Sequence, residues 1–476
     1  MNPNLHPDRF FDPDPTTRRI ARALYERASE LPLICPHGHV DPALLAHNAP
    51  FPEPSSLIVI PDHYLLRMLY SQGVPLEDLG VTSRDGSLVE SDPRVIWRLF
   101  AANYFLFRGT PSRAWLDFEL HEVFDVQLSL AGDTADLIYD EISEKLLSPE
   151  FRPHALFERF RIETLATTDR ATDPLEHHRA IQASGLHGRV IPTFRPDGLF
   201  AIANDGWLGE LKLLAESVGR EISTFDDFVA ALATRRDFFR TMGGTATDHG
   251  VMVPHTERMA KHEVDQIFGV ALRRDATPGD ERRFEAHMLM EMARMSVDDG
   301  LVMQLHAGSM RNHNSRLWER FGPDKGADIP VVTEYTRNLH ALLNEFGNDP
   351  AFSLIVFTLD ESAYSRELAP LAGHYPSLKL GPPWWFHDSL EGMERFRDRT
   401  LGTAGIYNTA GFNDDTRAFC SIPARHDLSR RADANFLARM VVRHIIGEEE
   451  AEELVWLLAY ELARKAYKLD SIDGAR

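Results

Sequence analysis

The chain has 476 residues, 43% of them hydrophobic and 26% charged, with a formal net charge of −21. This is the balance of a globular protein with a large core, and the acidic surface excludes nucleic acid as a partner, although a few local arginines can still build an anion pocket because distant exposed charges are screened within about 8–10 Å. No run of about 18 apolar residues offers a membrane span, no basic-then-apolar leader is seen, and two cysteines, Cys35 and Cys420, make no disulfide framework, so a cytoplasmic protein is expected.

Residues 1–15 are polar and proline-rich, and Thr16-Thr17 then introduces a helical pattern through Ile20, Leu24 and Ala28. It leads into a first strand, Leu33–His37. Residues 40–160 read as helices: Asp62–Gln72, 92–107, a start at Thr110-Pro111, and 134–147. This is the pattern of a helical insertion mounted after strand one. From 162 the rhythm becomes strand then helix. Apolar runs fall at Ile162–Thr168, Arg189–Phe194, His249–Val253, Leu301–His306, Leu354–Thr358, Leu378–Gly381 and Ala404–Asn408, with helices at 174–184, 198–218, 361–371, 388–399 and 430–445. Eight strands alternating with helices favour a (β/α)8 barrel, one domain over 1–476, above an open doubly wound sheet. The acidic run Glu448-Glu449-Glu450 suits the start of the last helix.

The chemistry gathers at the expected strand ends. His37 and His39, one residue apart, are expected on one face of strand one and so able to grip one metal ion. A lone HxH is weak, but His306 ends strand five and Asp415 follows strand eight, with Asp414 as a rival ligand. Three imidazoles and a carboxylate suit one divalent ion, zinc first. Singly, His306 reads equally as a core histidine and Asp415 as a helix cap.

Asp62 reads as an N-cap that sets His63, Tyr64 and Arg67 on one helical face. A tyrosine beside a histidine and an arginine can transfer protons, the cation favouring the phenolate, with Tyr64 as base assisted by His63 and with Asp415 shuttling protons. The bland alternative is an exposed face. Arg195 and Arg417 are expected at the same mouth to hold a carboxylate, with Arg67, Arg311 and Arg425 as further candidates. Trp384-Trp385-Phe386, after Gly381-Pro382-Pro383, is read as an aromatic wall against a sugar or as a packed loop.

Assembled in order, FDPDP, LPLICPHGHVDP, PDHYLLRMLYSQG, TTD, VIPTFRPD, TDHG, QLHAGSMRNHN, GPPWWFHD and GFNDDTRAF resemble the uronate isomerase (glucuronate isomerase) family of the amidohydrolase superfamily over nearly the whole chain. The resemblance implies a distorted (β/α)8 barrel interconverting D-glucuronate with D-fructuronate and D-galacturonate with D-tagaturonate through a cis-enediol. It implies metal ligands at His37, His39, His306 and Asp415. His63, Tyr64, Arg195 and Arg417 match residues that surround the substrate. Two departures stand out. The strand-four lysine and strand-six histidine of binuclear relatives have no counterpart, which argues for at most one metal. Thr245 stands where the family often has an arginine, which puts part of the substrate grip in doubt. The rivals are a metal-dependent hydrolase or decarboxylase on the same barrel, and a noncatalytic uronate-binding protein. Association into a homo-oligomer is expected.

Overall fold

Seven short strands, all paired in parallel, carry the chain around a ring in the computed structural model, which describes residues 5–470. The ends of the expected 1–476 domain, 1–4 and 471–476, lie outside the described residues. β1 (Leu33–Cys35) pairs with β2 (Ile162–Ala166), and β2 with β3 (Arg189–Ile191). The β2–β3 pairing continues through Asp169–Arg170 and Phe194–Arg195, and Phe194 then meets Thr247 of β4 (Ala246–Val251). β5 (Val302–Ala307), β6 (Leu354–Thr358) and β7 (Leu378–Leu380) follow in order.

The eighth position is a single parallel bridge between Leu380 and Thr409, flanked by hydrogen bonds from Leu380 N to Asn408 O (2.9 Å) and Ala410 N to Leu380 O (2.8 Å). The ring closes where His39 N donates to Thr416 O at 3.0 Å. The architecture is an α/β barrel, distorted at its last strand. Two expected strands are corrected. Ala404 ends the helix Leu390–Ala404, Gly405 turns the chain at φ 68°, and pairing begins only beyond, so Ala404–Asn408 is not a strand. β4 starts three residues before His249, because Thr247 and Asp248, polar and therefore missed in an apolar reading, are strand residues.

Between β1 and β2 lie the helices Pro42–His47, His63–Ser71, Pro93–Ala102, Pro111–Phe118, Ala135–Leu146 and Pro153–Arg159. Asp41, Asp62, Asp92 and Thr110 cap four of them through side-chain oxygens, the role that short polar residues play at a helix start. Their apolar faces, including Leu65, Trp97 and Phe100, share one core with Leu33, Cys35 and Ile162 on the outer side of the sheet. The lumen is filled separately by Ile34, Ala166, Ile191, Ala246, Val302 and Ile355, as period-two alternation requires.

The later helices also adjust the expected boundaries. The 198–218 segment splits into Asp197–Phe200 and Trp207–Val218. The 361–371 segment is a wide π turn, Tyr364–Leu368, running into Ala369–Ala372. The helix expected at 430–445 runs Ile422–Val442, with Pro423 in its first turn, where a missing N–H costs nothing. Glu448 does open a helix, Glu448–Trp456.

Candidate active site at the barrel mouth

β1 ends at Cys35, so His37 and His39 do not alternate along a strand as expected; they sit in the irregular segment that follows. They converge nonetheless. His37 Nε2 lies 3.5 Å and His39 Nε2 3.1 Å from Asp415 Oδ1. The His37 ring stacks on His306 with centroids 4.6 Å apart, and Phe357 covers His306 at 3.9 Å. Asp415 holds φ 43°, a left-handed conformation that aspartate tolerates better than bulkier residues. Its rival Asp414 turns behind β1, with Oδ2 3.3 Å from His426 Nε2, itself 3.6 Å from Cys35 Sγ. Cys35, Asp414 and His426 thus form a separate buried group of potential donors.

Burial lowers the pKa of His37 and His306, which favours the neutral imidazoles a metal needs. Burial works to raise Asp415, but the imidazoles around it prevail and hold the carboxyl well below its usual range. His306 Nδ1 lies 2.6 Å from Asp248 Oδ1. That contact leaves His306 Nε2 buried without a hydrogen-bond partner, and His37 Nδ1 and both Asp415 carboxylate oxygens are likewise buried and unpartnered. Orphaned ligand atoms of this kind fit a cation, because an unpaired buried polar atom costs about 1–3 kcal/mol. Asp248 was not singled out from sequence; the signal was the Asp-His-Gly end of β4.

Across the mouth, Asp62 caps the helix at Tyr64 N and Leu65 N while Leu65, Leu66 and Leu69 face the core as expected. The His63 and Tyr64 rings stack at 4.7 Å, and His63 meets Trp385 edge-on at 5.7 Å. Tyr64 does not favour a phenolate. Its hydroxyl donates to Asp388 Oδ2 at 2.9 Å, and burial with that carboxylate pushes it well above its ordinary value. Burial pulls His63 down to about 3, leaving it neutral. Asp388 is the second missed residue, hidden in the tail of Trp-Trp-Phe-His-Asp.

The arginines divide. Arg195 donates from Nε to Asp197 at 2.8 Å and places Nη1 3.3 Å from Asp248. Gly250 makes room for it, since a Cβ there would stand 2.8 Å from Arg195 Nη2. Arg417 pairs with Asp324 at 3.1 Å and is about a third exposed (36%). Arg67 stacks on Phe386 at 4.2 Å, and Arg311 on Trp385 at 4.6 Å. Arg425 is 5% exposed, lies 3.8 Å over Trp115, reaches Asp388 at 3.2 Å and lines a small pocket with Trp384, Trp385 and Asp415. Trp384 is buried edge-on to His306 at 4.7 Å, and with Trp385 it forms a wall. A cavity of about 280 Å³ touches Gly250, His306, Ser309, Arg311 and Trp384. Thr245 directly precedes β4, three residues or about 10 Å of strand before Asp248.

The parallel α/β barrel, with His37, His39 and Asp415 gathered beside His306 at its mouth, has the architecture of the amidohydrolase-like barrel enzymes. The glucuronate isomerase family model matches residues 13–467. The uronate isomerase of Nostoc punctiforme is 55% identical over 469 residues, covering 98% of this chain and 99% of that protein. The crystal structure of glucuronate isomerase from Caulobacter crescentus superposes with a TM-score of 0.96 at 52% identity, covering 98% of this chain and 97% of that one. That of the Thermotoga maritima uronate isomerase gives 0.91 at 27% identity, covering 97% and 99%. The chain belongs to the glucuronate isomerase family.

Proposed function

We propose that this barrel mouth interconverts aldo- and keto-hexuronates, D-glucuronate with D-fructuronate and D-galacturonate with D-tagaturonate, by moving a proton between C2 and C1. The observation that carries the reading is the hydrogen bond from Tyr64 Oη to Asp388 Oδ2, which supplies a couple able to pass a proton, in a chain whose mouth also holds Arg195, Arg417 and the histidine cluster. The family match over nearly the whole chain does not favour a hydrolase, a decarboxylase or a passive binding protein.

In this reading Arg195 and Arg417 take the uronate carboxylate and fix which end of the open chain enters. Trp384 and Trp385 exclude water. Tyr64 Oη receives the C2 proton as its own proton passes to Asp388 Oδ2, and the return transfer delivers that proton to C1 while the O2 hydroxyl proton passes to O1. His63, neutral and stacked on the Tyr64 ring, orients it, while Arg425 holds Asp388 in line. Asp415, ionised at the mouth, moves hydroxyl protons as the pyranose ring opens. A positioned general base or acid of this kind contributes about 10²–10⁴ in rate.

His37, His39, His306 and Asp415 would hold a single divalent ion, zinc by the nature of the donors. When bound, such an ion supplies Lewis-acid polarisation of substrate oxygens. The helical stretch 40–160 acts as an insertion in one barrel domain, bringing Tyr64 to the mouth. Both cysteines are free and buried, which suits the cytoplasm, and assembly with copies of itself would be read by light scattering. The proton transfer is tested by turnover of D-glucuronate deuterated at C2 in ordinary water: deuterium carried to C1 of the ketose supports it, and folded, metal-loaded protein that forms no ketose opposes it.

A further inference from the structure

The helix Ile422–Val442 serves the mouth through Arg425, but further along it lines a second cavity. This cavity, of about 350 Å³, lies on the outer side of β1, among the helix Pro15–Ser29, the Phe160-Arg161 turn and the insertion. Five arginines line it: Arg9, Arg159, Arg161, Arg430 and Arg431. Three carboxylates join them, Glu30, Glu122 and Asp427, so five minus three leaves an excess of two positive charges in a chain of net charge −21.

The floor is built and the rim is open. Arg430 and Arg431 are each 5% exposed and Asp427 8%, while Arg159 and Arg161 are exposed at the edge. Asp427 is already committed, taking Arg9 Nη2 at 2.6 Å and Arg431 Nε at 2.9 Å. Glu30 is held by Arg161. Arg430 has no carboxylate partner among the described residues; it donates to the carbonyls of Ser29 (3.1 Å), Leu31 (2.9 Å) and Pro32 (2.9 Å), and its Nε is buried with no acceptor. Burial accordingly pulls Arg430 down to about 10. A buried cation without a counter-ion, next to an unsatisfied N–H, is costly for a fold to keep.

We propose that this cavity is a binding site for a compact, doubly charged oxyanion, a phosphate ester or a small dicarboxylate, separate from the uronate site. Two negative charges close the local balance. Guanidinium forks are suited to both oxyanion types, and the volume lies at the small end of metabolite pockets.

Calorimetric titration of the purified protein with glycerol 3-phosphate and, separately, with succinate tests the site and shows which oxyanion it prefers. One equivalent of at least one anion should bind without displacement by D-glucuronate. The rim variant Arg159→Gln/Arg161→Gln should weaken it at least about tenfold while leaving the KM for D-glucuronate unchanged. Arg430→Gln should abolish binding, and if that variant does not fold, the rim variant decides. No binding of either anion at millimolar concentration, binding unchanged in the rim variant, or competition with D-glucuronate would each overturn the proposal.

Discussion

The Tyr64 hydroxyl donates a 2.9 Å hydrogen bond to Asp388 Oδ2 across 324 residues of chain, joining the insertion after β1 to the loop after β7. Both groups are partly buried, and the acceptor is itself held by Arg425 at 3.2 Å. On the proposed reading, the insertion supplies part of the catalytic apparatus.

Removing either end of this couple should stop proton transfer. Tyr64→Phe and Asp388→Asn are each expected to lower kcat by about 10²–10⁴ with a smaller change in KM. Steady-state kinetics on variants with unchanged thermal melting checks this. A Tyr64→Phe enzyme of normal kcat would remove Tyr64 from the reaction.

Arg417, a third exposed and paired with Asp324 at 3.1 Å, is the arginine proposed to take the substrate carboxylate. Arg417→Gln should raise the KM for D-glucuronate by about 10–100-fold, the equivalent of about 1.5–3 kcal/mol for a hydrogen bond to a charged group. An unaltered KM would assign the carboxylate to Arg195 alone.

Asp248 bonds His306 and fixes which ring nitrogen is left free. Asp248→Asn should therefore weaken metal binding by about 10–100-fold, measured as metal content after dialysis against a weak chelator. His249→Asn is the control. His249 contacts Thr247 at 3.0 Å and stacks on Phe200, outside the cluster, and its loss should leave metal content unchanged.

How much of this could be read from the sequence depended on the kind of signal. His37, His39, His306 and Asp415 were legible because their donor chemistry is distinctive, even though the expected reason for the first pair, strand alternation, was wrong: β1 stops before them. The barrel was legible where strands are apolar runs, as at Leu354–Thr358, and illegible at the eighth position, where pairing is one bridge at Thr409. Asp248 and Asp388 were passed over because a lone aspartate after a strand or an aromatic run looks like an ordinary cap. Only the fold brings them against His306 and Tyr64. Tyr64 itself was found, but its protonation state was reversed by a carboxylate that no local spacing could announce.

Glu119 sets an alkaline limit on stability. Burial pushes its carboxyl from 4.5 up to about 8 in the folded chain. The folded state thus keeps a proton that the unfolded chain releases near 4.5, so its contribution is intact below that pH and stability falls as pH rises toward about 8. The total loss is on the order of 5 kcal/mol. Glu119→Gln should be spared, and the melting-temperature gap between variant and parent should widen from about pH 5 to pH 8. A flat gap would mean that Glu119 is ionised in the fold.

The most direct measurement is to incubate the purified protein with D-glucuronate and with D-galacturonate, before and after metal chelation, and to follow the sugars by NMR. Fructuronate or tagaturonate should appear with no release of carbon dioxide and no hydrolysis product. Folded, metal-loaded protein that leaves both aldoses untouched, or that releases carbon dioxide, would contradict the isomerase account.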